Sequence, residues 1–144
     1  MTYFLSLGAN IGQREQTLRH AIELIGQQIG HVLRCSSFYY SEPWGFVSAN
    51  EFCNMCCMVE TDMAPLDVLH ATQSIEHSLG RKEKSVGGNY SDRCIDIDII
   101  RAFDNNGDEI IVNYQLTTTS LQIPHPLWRE RDFVTIPMKE INCF

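Results

Sequence analysis

The segment "RCIDIDII", residues 93–100, constrains the fold of this chain more than any other segment. Ile and Asp alternate strictly in it, and such alternation predicts a β-strand with one apolar face and one polar face. The isoleucines would face a core, while Asp96 and Asp98 would point to the other side with Cα atoms about 6.6 Å apart. Because Asp is depleted in strands, two of them on one strand face need a physical reason.

Two interpretations of this aspartate pair follow from the segment alone. In the first, Asp96 and Asp98 lie on an ordinary solvated strand face, where their charges repel by roughly 0.6 kcal/mol in water and about 2.5 kcal/mol at an effective dielectric constant of 20. In the second, a positive ion lies between them. Hard divalent cations such as Mg²⁺ favour carboxylate oxygens and usually share them with substrate phosphates.

Length and charge restrict the class of protein. The chain has 144 residues, of which 44% are hydrophobic and 20% are charged, so we expect one folded domain spanning residues 1–144. Its net charge of −7 argues against general binding to nucleic acid or to anionic membranes. The N-terminus lacks the basic segment of a signal peptide, and no apolar run approaches the ~20 residues of a membrane span. We therefore expect a cytoplasmic protein, and a monomer.

Three of the six cysteines form the segment "CNMCC", which contains a C-x-x-C spacing. That spacing can hold zinc or a redox disulfide when it lies in a turn or at a helix start. Here it lies in a predicted strand, where Cys53 and Cys56, three residues apart, would point to opposite faces. We therefore expect reduced thiols that serve packing rather than metal binding or redox chemistry.

Apolar periodicity predicts two helices and several strands. The predicted elements, in chain order, are a strand over 2–7, a helix over 12–28, strands over 31–40 and 52–61, a helix from Pro65 to Gly80, and a strand over 94–103. This β-α-β-β-α-β order predicts an α+β fold with a ferredoxin-like core, in which two helices cover one face of an antiparallel sheet. Residues 108–114 are predicted to add an edge strand, and residues 125–133 a short C-terminal helix.

The few basic residues of this acidic chain are clustered. Six of its 11 Lys and Arg residues lie in two short segments: Arg81, Lys82, Lys84, Arg93, Arg129 and Arg131. The first segment, residues 81–93, contains two adjacent glycines and has the length and composition of a mobile lid over an active site. Basic residues beside acidic metal ligands are typical of a site for a metal-bound polyphosphate, although a solvated charged loop has the same composition.

Aromatic residues form a second group of candidate ligand contacts. Trp44 lies in the loop after the second strand, and Phe133 lies beside the late arginines. Phe52 and Asn54 share one face of a strand, so the ring could stack on a flat heterocycle while the amide forms hydrogen bonds with it. A phenylalanine packed in the core would show the same pattern. On the second helix, Gln73 and Glu76 lie three residues apart and outside the apolar stripe, and an ordinary solvated helix surface is the simplest interpretation of their position.

Together these motifs resemble the 6-hydroxymethyl-7,8-dihydropterin pyrophosphokinase family, over about residues 3 to 137. The matching segments, in chain order, are "LSLGANIG", "FYYSEPWG" followed by "NEFCN", "TQSIEHSLGR", "DRCIDIDII" and "IPHPLWRERDFV". The resemblance implies a ferredoxin-like enzyme of folate biosynthesis. Such an enzyme transfers a pyrophosphoryl group from ATP to the hydroxymethyl oxygen of a reduced pterin and releases AMP.

The resemblance also implies roles for individual residues. Asp96 and Asp98 match the carboxylates that hold two Mg²⁺ ions on the ATP phosphates, and Arg81 and Arg93 match phosphate-contacting arginines of the catalytic site. The residues that match ATP contacts are Gln73, Glu76, Arg93, His125 and Arg131. Those that match pterin contacts are Ser41, Trp44, Phe52, Asn54, Tyr90 and Phe133. No residue of the sequence stands out as a general base.

Two features depart from the family pattern. The segment "NYSDR" carries Asn89 where many members have a basic residue, and only "NCF" follows "IPMKEI" at the C-terminus, where many members continue.

Two other functions fit the same motifs: a metal-dependent kinase that transfers only the γ-phosphate, and a ligand-binding module that has lost activity. The nucleotide product separates them, because a pyrophosphokinase forms AMP and a simple kinase forms ADP.

Overall fold

The computed structural model describes residues 1–42, 51–80 and 94–141. Its elements, in chain order, are β1 (Thr2–Ala9), α1 (Arg14–Gln28), β2 (His31–Cys35), β3 (Tyr39–Ser41), β4 (Phe52–Glu60), α2 (Pro65–Ser78), β5 (Asp96–Phe103), β6 (Val112–Gln115), β7 (Ser120–Ile123), a 3₁₀ turn (Trp128–Glu130) and α3 (Asp132–Glu140). Within these ranges no helix has both the length and the apolar character needed to cross a membrane.

One antiparallel sheet forms the centre of the fold, with strand order β2-β4-β1-β5 and with β3 paired to β4. This arrangement confirms the predicted ferredoxin-like α+β core. β1 lies between β4 and β5 and is buried from Tyr3 to Ala9, because a central strand with both faces covered needs apolar residues on both sides. β5 forms one edge of the sheet, a position that matters for the site described below.

The first face of the sheet is covered by α1 and α2, as predicted. α1 buries Leu18, Ala21 and Ile25, and α2 buries Val68 and Ile75 against the same core. Each fully buried Leu or Ile stabilises the fold by roughly 1.5–3 kcal/mol relative to an exposed one. α2 begins with Pro65 in its first turn, where the missing N–H costs no helical hydrogen bond.

The second face carries a smaller core beneath α3. Val134 and Met138 of α3 pack with Phe4, Cys56 and Ile100 of the sheet. The prediction placed both main helices on one face, and the structure adds that the C-terminal helix covers part of the other. Within the described ranges, this second core stops short of the sheet end where β1 finishes.

The predicted strand over 31–40 is two strands, and a polar pair separates them. Ser36 both donates its backbone N–H to the carbonyl of Cys56 and accepts the Cys56 N–H on its Oγ, at 2.8 and 2.9 Å. Ser37 donates its N–H and its hydroxyl to the carboxylate of Glu140 at the end of α3. Because serine side chains compete with strand pairing in this way, the ladder breaks and restarts as β3.

The predicted edge strand over 108–114 meets the main sheet only near its start, where Glu109 forms an isolated antiparallel bridge with Phe103 of β5. Further along, β6 pairs with β7 in a separate two-stranded sheet. Beside that bridge, Ile110 donates its N–H to the carbonyl of Ala102 at 2.8 Å, and Arg101 forms a bidentate pair with Glu109 at 2.8 and 3.1 Å. That pairing with Arg101 lowers the pKa of the Glu109 carboxyl.

The bounds predicted for the C-terminal helix are wrong. Residues 125–133 contain only the 3₁₀ turn and the first residues of α3, and α3 continues to Glu140 through Pro137. Pro137 has no N–H to donate within the helix, a pattern that normally ends a helical prediction. Burial of Pro137 and Met138 against the sheet offsets that loss, so tertiary packing overrides the local preference.

The cysteines of β4 lie on alternating faces, as the strand prediction required. Cys53 and Cys57 pack in the first core and Cys56 in the second. All five cysteines of the described residues are free thiols. Burial raises the pKa of Cys53 to about 11 and raises that of Cys57 well above its usual value, so both are protonated at neutral pH.

Candidate active site

The aspartate-isoleucine alternation of β5 is arranged as the sequence predicts. Ile95, Ile97 and Ile99 are buried in the first core. Asp96 and Asp98 are half-buried and belong to the other face of the sheet. Their carboxylates therefore lie on the face that α3 covers only in part.

The sheet register places the candidate residues in two rows across three strands. Gly8 of β1 is opposite both Asp96 of β5 and Asn54 of β4, and Ser6 is opposite Asp98 in the next row. Residues opposite each other in an antiparallel pair share a face, and neighbouring strands are about 4.8 Å apart, so Asp96 and Asn54 are separated by roughly 10 Å. We call this surface, formed by Gly8, Phe52, Asn54, Asp96 and Asp98, the site face.

The side-chain amide of Asn54 is held in one orientation. Its Nδ2 donates to the carbonyl of Tyr39 at 3.0 Å and to the hydroxyl oxygen of Ser41 at 2.8 Å, and the residue is only 2% exposed. A carbonyl oxygen can only accept, so the atom beside Tyr39 must be the amide nitrogen. Asn54 therefore presents its Oδ1 as an acceptor on the site face, and Ser41 acts by orienting this amide.

Gly8 allows the amide and the ring to lie close to the floor of the site face. A Cβ atom at this position would lie 3.0 Å from Oδ1 of Asn54 and 3.6 Å from Cδ1 of Phe52. This role was not predicted, because the first strand was expected to end before Gly8, whereas β1 continues to Ala9. A glycine inside a strand often marks a close approach of another group, and that was the available signal.

Replacing Gly8 with Ala should weaken pterin binding by about tenfold, because the added methyl displaces Asn54 and Phe52 and overpacking of this kind typically costs 1–3 kcal/mol. Fluorescence titration with the pterin would measure the loss. Gly26→Ala is the matched control: its Cβ meets only Val32, at 4.0 Å, on the surface of α1. That variant should bind pterin normally and gain up to about 1 kcal/mol in free energy of unfolding. Unchanged pterin affinity in Gly8→Ala would contradict the role given to Gly8.

Glu76 does not lie on a solvated helix surface, the simplest interpretation of its position in the sequence. It is 2% exposed, and its Oε2 accepts the backbone N–H of Ile97 at 2.7 Å. Gln73, one turn earlier on α2, is exposed. The spacing in the sequence does indicate burial of Glu76, since Thr72, Ile75 and Glu76 follow the i, i+3, i+4 pattern of the buried helix face.

His125, Arg131 and Phe133 belong to the C-terminal segment, which contacts β5 and the second core. The backbone N–H of His125 donates to the carbonyl of Ile100 at 2.9 Å, which fixes this residue to the outer edge of β5. Arg131 is buried, and its guanidinium carbon lies 5.7 Å from the ring centre of Phe133. Phe133 packs on the second core, and α3 contacts β4, the strand that carries Phe52.

A cleft of about 460 Å³ opens beside His125. The β6–β7 hairpin lines one side, with Asn113 and Gln122, and Trp128 and Arg129 line the other. This volume lies within the range typical of small-molecule sites. The cleft is therefore large enough for part of a nucleotide.

Four predicted site residues lie outside the described ranges: Trp44, Arg81, Tyr90 and Arg93. The predicted lid over 81–93 lies outside them as well. The two residues that border this segment are described, and they are close together. A Cβ on Gly80 would lie 3.9 Å from Sγ of Cys94, two residues before Asp96. The two bordering residues, Gly80 and Cys94, therefore lie near the start of β5, the strand that carries the aspartates.

The donor set of Asp96 and Asp98 suits a magnesium ion that is shared with a phosphate. Both are oxygen donors, both are partly accessible, and they lie two residues apart on one strand face. Within the described ranges, no group of three or more His, Cys, Asp or Glu side chains is arranged to enclose a metal. Two carboxylates leave coordination positions for water and for phosphate oxygens, which is the usual arrangement for protein-bound Mg²⁺.

The fold and the site face together define a class of protein: a ferredoxin-like α+β domain with a carboxylate pair and an oriented amide on one sheet surface. The sequence model of the 7,8-dihydro-6-hydroxymethylpterin-pyrophosphokinase (HPPK) family matches residues 4–143. The chain belongs to this family. The resemblance noted in the sequence is thereby confirmed.

Individual relatives agree with this assignment. A 2-amino-4-hydroxy-6-hydroxymethyldihydropteridine pyrophosphokinase of Porphyromonas gingivalis is 41% identical over 138 residues, covering 96% of this chain and 88% of the relative. The protein of that name from Bacillus subtilis is 34% identical, covering 96% of this chain and 76% of the relative.

A crystal structure of an HPPK-DHPS protein in complex with substrates matches the fold. Its TM-score is 0.71 at 15% sequence identity, and the match covers 97% of this chain and 40% of the crystallised chain. At that identity the match supports the fold alone.

Proposed function

We propose that this protein transfers the pyrophosphoryl group of ATP to 6-hydroxymethyl-7,8-dihydropterin in folate biosynthesis, in a reaction that depends on Mg²⁺. The hydroxymethyl oxygen bonds to the β-phosphorus of ATP, the bond from that phosphorus to the α,β-bridging oxygen breaks, and AMP leaves. The observation that carries the proposal is the row Asp96–Gly8–Asn54 across the site face. In this row one strand, β1, lies between a candidate metal site and an amide suited to a pterin.

The candidate pterin contacts lie on β3, β4 and α3. Phe52 and Phe133 would stack on the two faces of the bicyclic ring, a contact that flat aromatic groups favour. Oδ1 of Asn54 would accept from an N–H group on the pterin edge, because both donors of its amide are already used by Tyr39 and Ser41. Trp44 and Tyr90 are further candidate contacts by resemblance to the family.

The candidate contacts for ATP and its Mg²⁺ lie on β5 and on the segments beside it. Asp96 and Asp98 would hold Mg²⁺, which when bound offsets phosphate charge and orients the phosphate chain. His125 and Arg131 would contact the nucleotide, and its adenosine part would occupy the cleft of about 460 Å³ beside His125. Gln73, Arg81 and Arg93 are ATP contacts by resemblance.

Catalysis on this site face needs positioning more than covalent chemistry. Phosphoryl-type transfers gain most from alignment of the reacting groups and from neutralisation of phosphate charge. A separation of roughly 10 Å between Asp96 and Asn54, from the strand spacing, leaves room for a phosphate chain to meet the hydroxymethyl arm of a bound pterin. We assign no protein side chain as the base that accepts the hydroxyl proton.

The nucleotide product tests the proposal directly. We expect AMP to form only when ATP, Mg²⁺ and the hydroxymethylpterin are all present, as measured by ion-exchange chromatography. A matched control uses 6-methyl-7,8-dihydropterin, which keeps the ring but lacks the accepting hydroxyl, and should give no AMP. ADP as the sole product would instead identify a γ-phosphate kinase, and binding without any turnover would identify a non-catalytic module.

A further inference from the structure

We propose that Glu76 is a positioning residue that fixes Asp96 and Asp98 through the backbone of Ile97, which lies between them. The inference rests on the proposed function, in which the two aspartates hold Mg²⁺. It differs from the ATP-contacting role that resemblance suggested for Glu76, because here the carboxylate acts on the strand that carries the metal ligands.

The contact itself is short and shielded from water. Oε2 of Glu76 accepts the N–H of Ile97 at 2.7 Å, and both residues are at most 2% exposed. Loss of one partner would leave a buried polar group unpaired, at a cost of about 1–3 kcal/mol.

The place of Ile97 in the sheet explains why its N–H needs such an acceptor. β5 is the edge strand of the main sheet: β1 pairs with one side, and the other side carries an isolated bridge between Phe103 and Glu109 at the far end from Ile97. Alternate residues of an edge strand point their N–H and C=O groups away from the neighbouring strand. The N–H of Ile97 is one of these outward groups, and Glu76 occupies the position that a further strand would otherwise take.

The outer edge of β5 is held at intervals by three different segments. His125 bonds to the carbonyl of Ile100 and Ile110 bonds to that of Ala102, both towards the end of the strand. Glu76 bonds at the beginning, where β5 starts with Asp96. This contact therefore lies at the end of the strand where the metal ligands are.

Glu76 reaches this edge from the face opposite the aspartates. α2 packs on the first core with Ile97, whereas Asp96 and Asp98 belong to the site face. The carboxylate thus acts on both aspartates through one peptide unit. Metal ligands must be held within about 0.5 Å of a productive geometry, and outer contacts that orient them typically change metal affinity 10–100-fold when removed.

Two conservative variants test separately whether the position of the acceptor oxygen or the negative charge of the side chain holds the strand. Glu76→Gln removes the charge but leaves an oxygen at the same reach, whereas Glu76→Asp keeps the charge and shortens the side chain by one methylene. The probe is Mn²⁺ binding in the presence of a non-hydrolysable ATP analogue, followed by electron paramagnetic resonance. We expect Glu76→Asp to weaken Mn²⁺ binding by about tenfold. Glu76→Gln should retain most of the affinity.

Pterin affinity, measured by fluorescence titration on the same variants, shows whether the effect is local. It should be unchanged, because the candidate pterin contacts among the described residues lie on β3, β4 and α3. Parallel loss of pterin and Mn²⁺ binding would overturn the inference, since it would indicate general disruption. An equal or larger loss in Glu76→Gln would also overturn it, by showing that the charge acts rather than the acceptor position.

Asp96→Asn is the reference that separates this inference from the proposed function. If Asp96→Asn weakens Mn²⁺ binding and Glu76→Asp does not, the positioning role of Glu76 is wrong while the metal site stands. If Asp96→Asn itself leaves Mn²⁺ binding unchanged, the metal role of the aspartates fails, and the inference fails with it. Glu23→Asp, on the exposed surface of α1, controls for the substitution and should match the wild type.

Discussion

Asp96→Asn or Asp98→Asn should lower turnover by roughly 10³-fold, because a catalytic metal supplies several kcal/mol and each 1.36 kcal/mol is a factor of ten in rate. Asn keeps the shape of the side chain and one neutral oxygen, but removes the charge that binds Mg²⁺. The fold should survive. The half-buried carboxylates repel each other without metal, so the free energy of unfolding should be unchanged or higher by at most roughly 1 kcal/mol.

Three measurements on each aspartate variant check this result: steady-state turnover, thermal melting without metal, and pterin titration. Pterin binding should largely survive, because the ring contacts lie on other elements. Asp62→Asn is the matched control, since Asp62 is exposed after β4, at the end of that strand away from Asn54. Near-normal turnover, or clear unfolding of the metal-free variant, would show that Asp96 and Asp98 are structural residues.

Asn54→Asp should reduce pterin affinity by about 10–100-fold, because a lost buried hydrogen bond costs roughly 1–3 kcal/mol and every 1.4 kcal/mol is tenfold in affinity. The change replaces the Nδ2 donor with an oxygen that would face the carbonyl of Tyr39 at 3.0 Å. Two oxygens cannot share that contact without a proton, so the side chain must rotate and lose its fixed orientation. The free energy of unfolding should also fall, by about 1–3 kcal/mol.

Fluorescence titration with the pterin and urea denaturation would measure the two effects of Asn54→Asp. Mn²⁺ binding with the ATP analogue should stay close to normal, because β1 separates Asn54 from the aspartates. Asn106→Asp, in the exposed turn after β5, makes the same chemical change as a control and should leave pterin affinity intact. An unchanged pterin affinity in Asn54→Asp would refute the acceptor role proposed for this amide.

Local periodicity was sufficient to predict much of the fold. Alternation in the segment around Asp96 and Asp98 predicted a strand with its isoleucines buried, and the structure has that arrangement. The same argument placed Cys53 and Cys56 on opposite faces of β4, as observed. Such patterns succeed because a strand repeats every two residues and a helix every 3.6, so the sequence alone shows which side of each element is apolar.

Local periodicity could not predict contacts between residues far apart in the chain. The strand predicted over 31–40 is broken at Ser37, whose partner Glu140 lies 103 residues later. A solvated helix surface was the simplest interpretation for Glu76, which is buried because β5 presents an outward N–H at Ile97. A short stretch of sequence indicates neither partner, because each comes into contact only when distant elements pack together.

The sequence by itself determined the fold class, the family and the chemical character of the candidate site: a carboxylate pair, an amide and aromatic rings. Only the tertiary structure decided that Asp96, Gly8 and Asn54 form one row, that Gly8 admits the amide of Asn54, and that Glu76 supports the strand edge. The physical reason is that periodicity fixes which way a side chain faces. Strand order and register fix which side chains become neighbours, and those are set by packing of the whole domain.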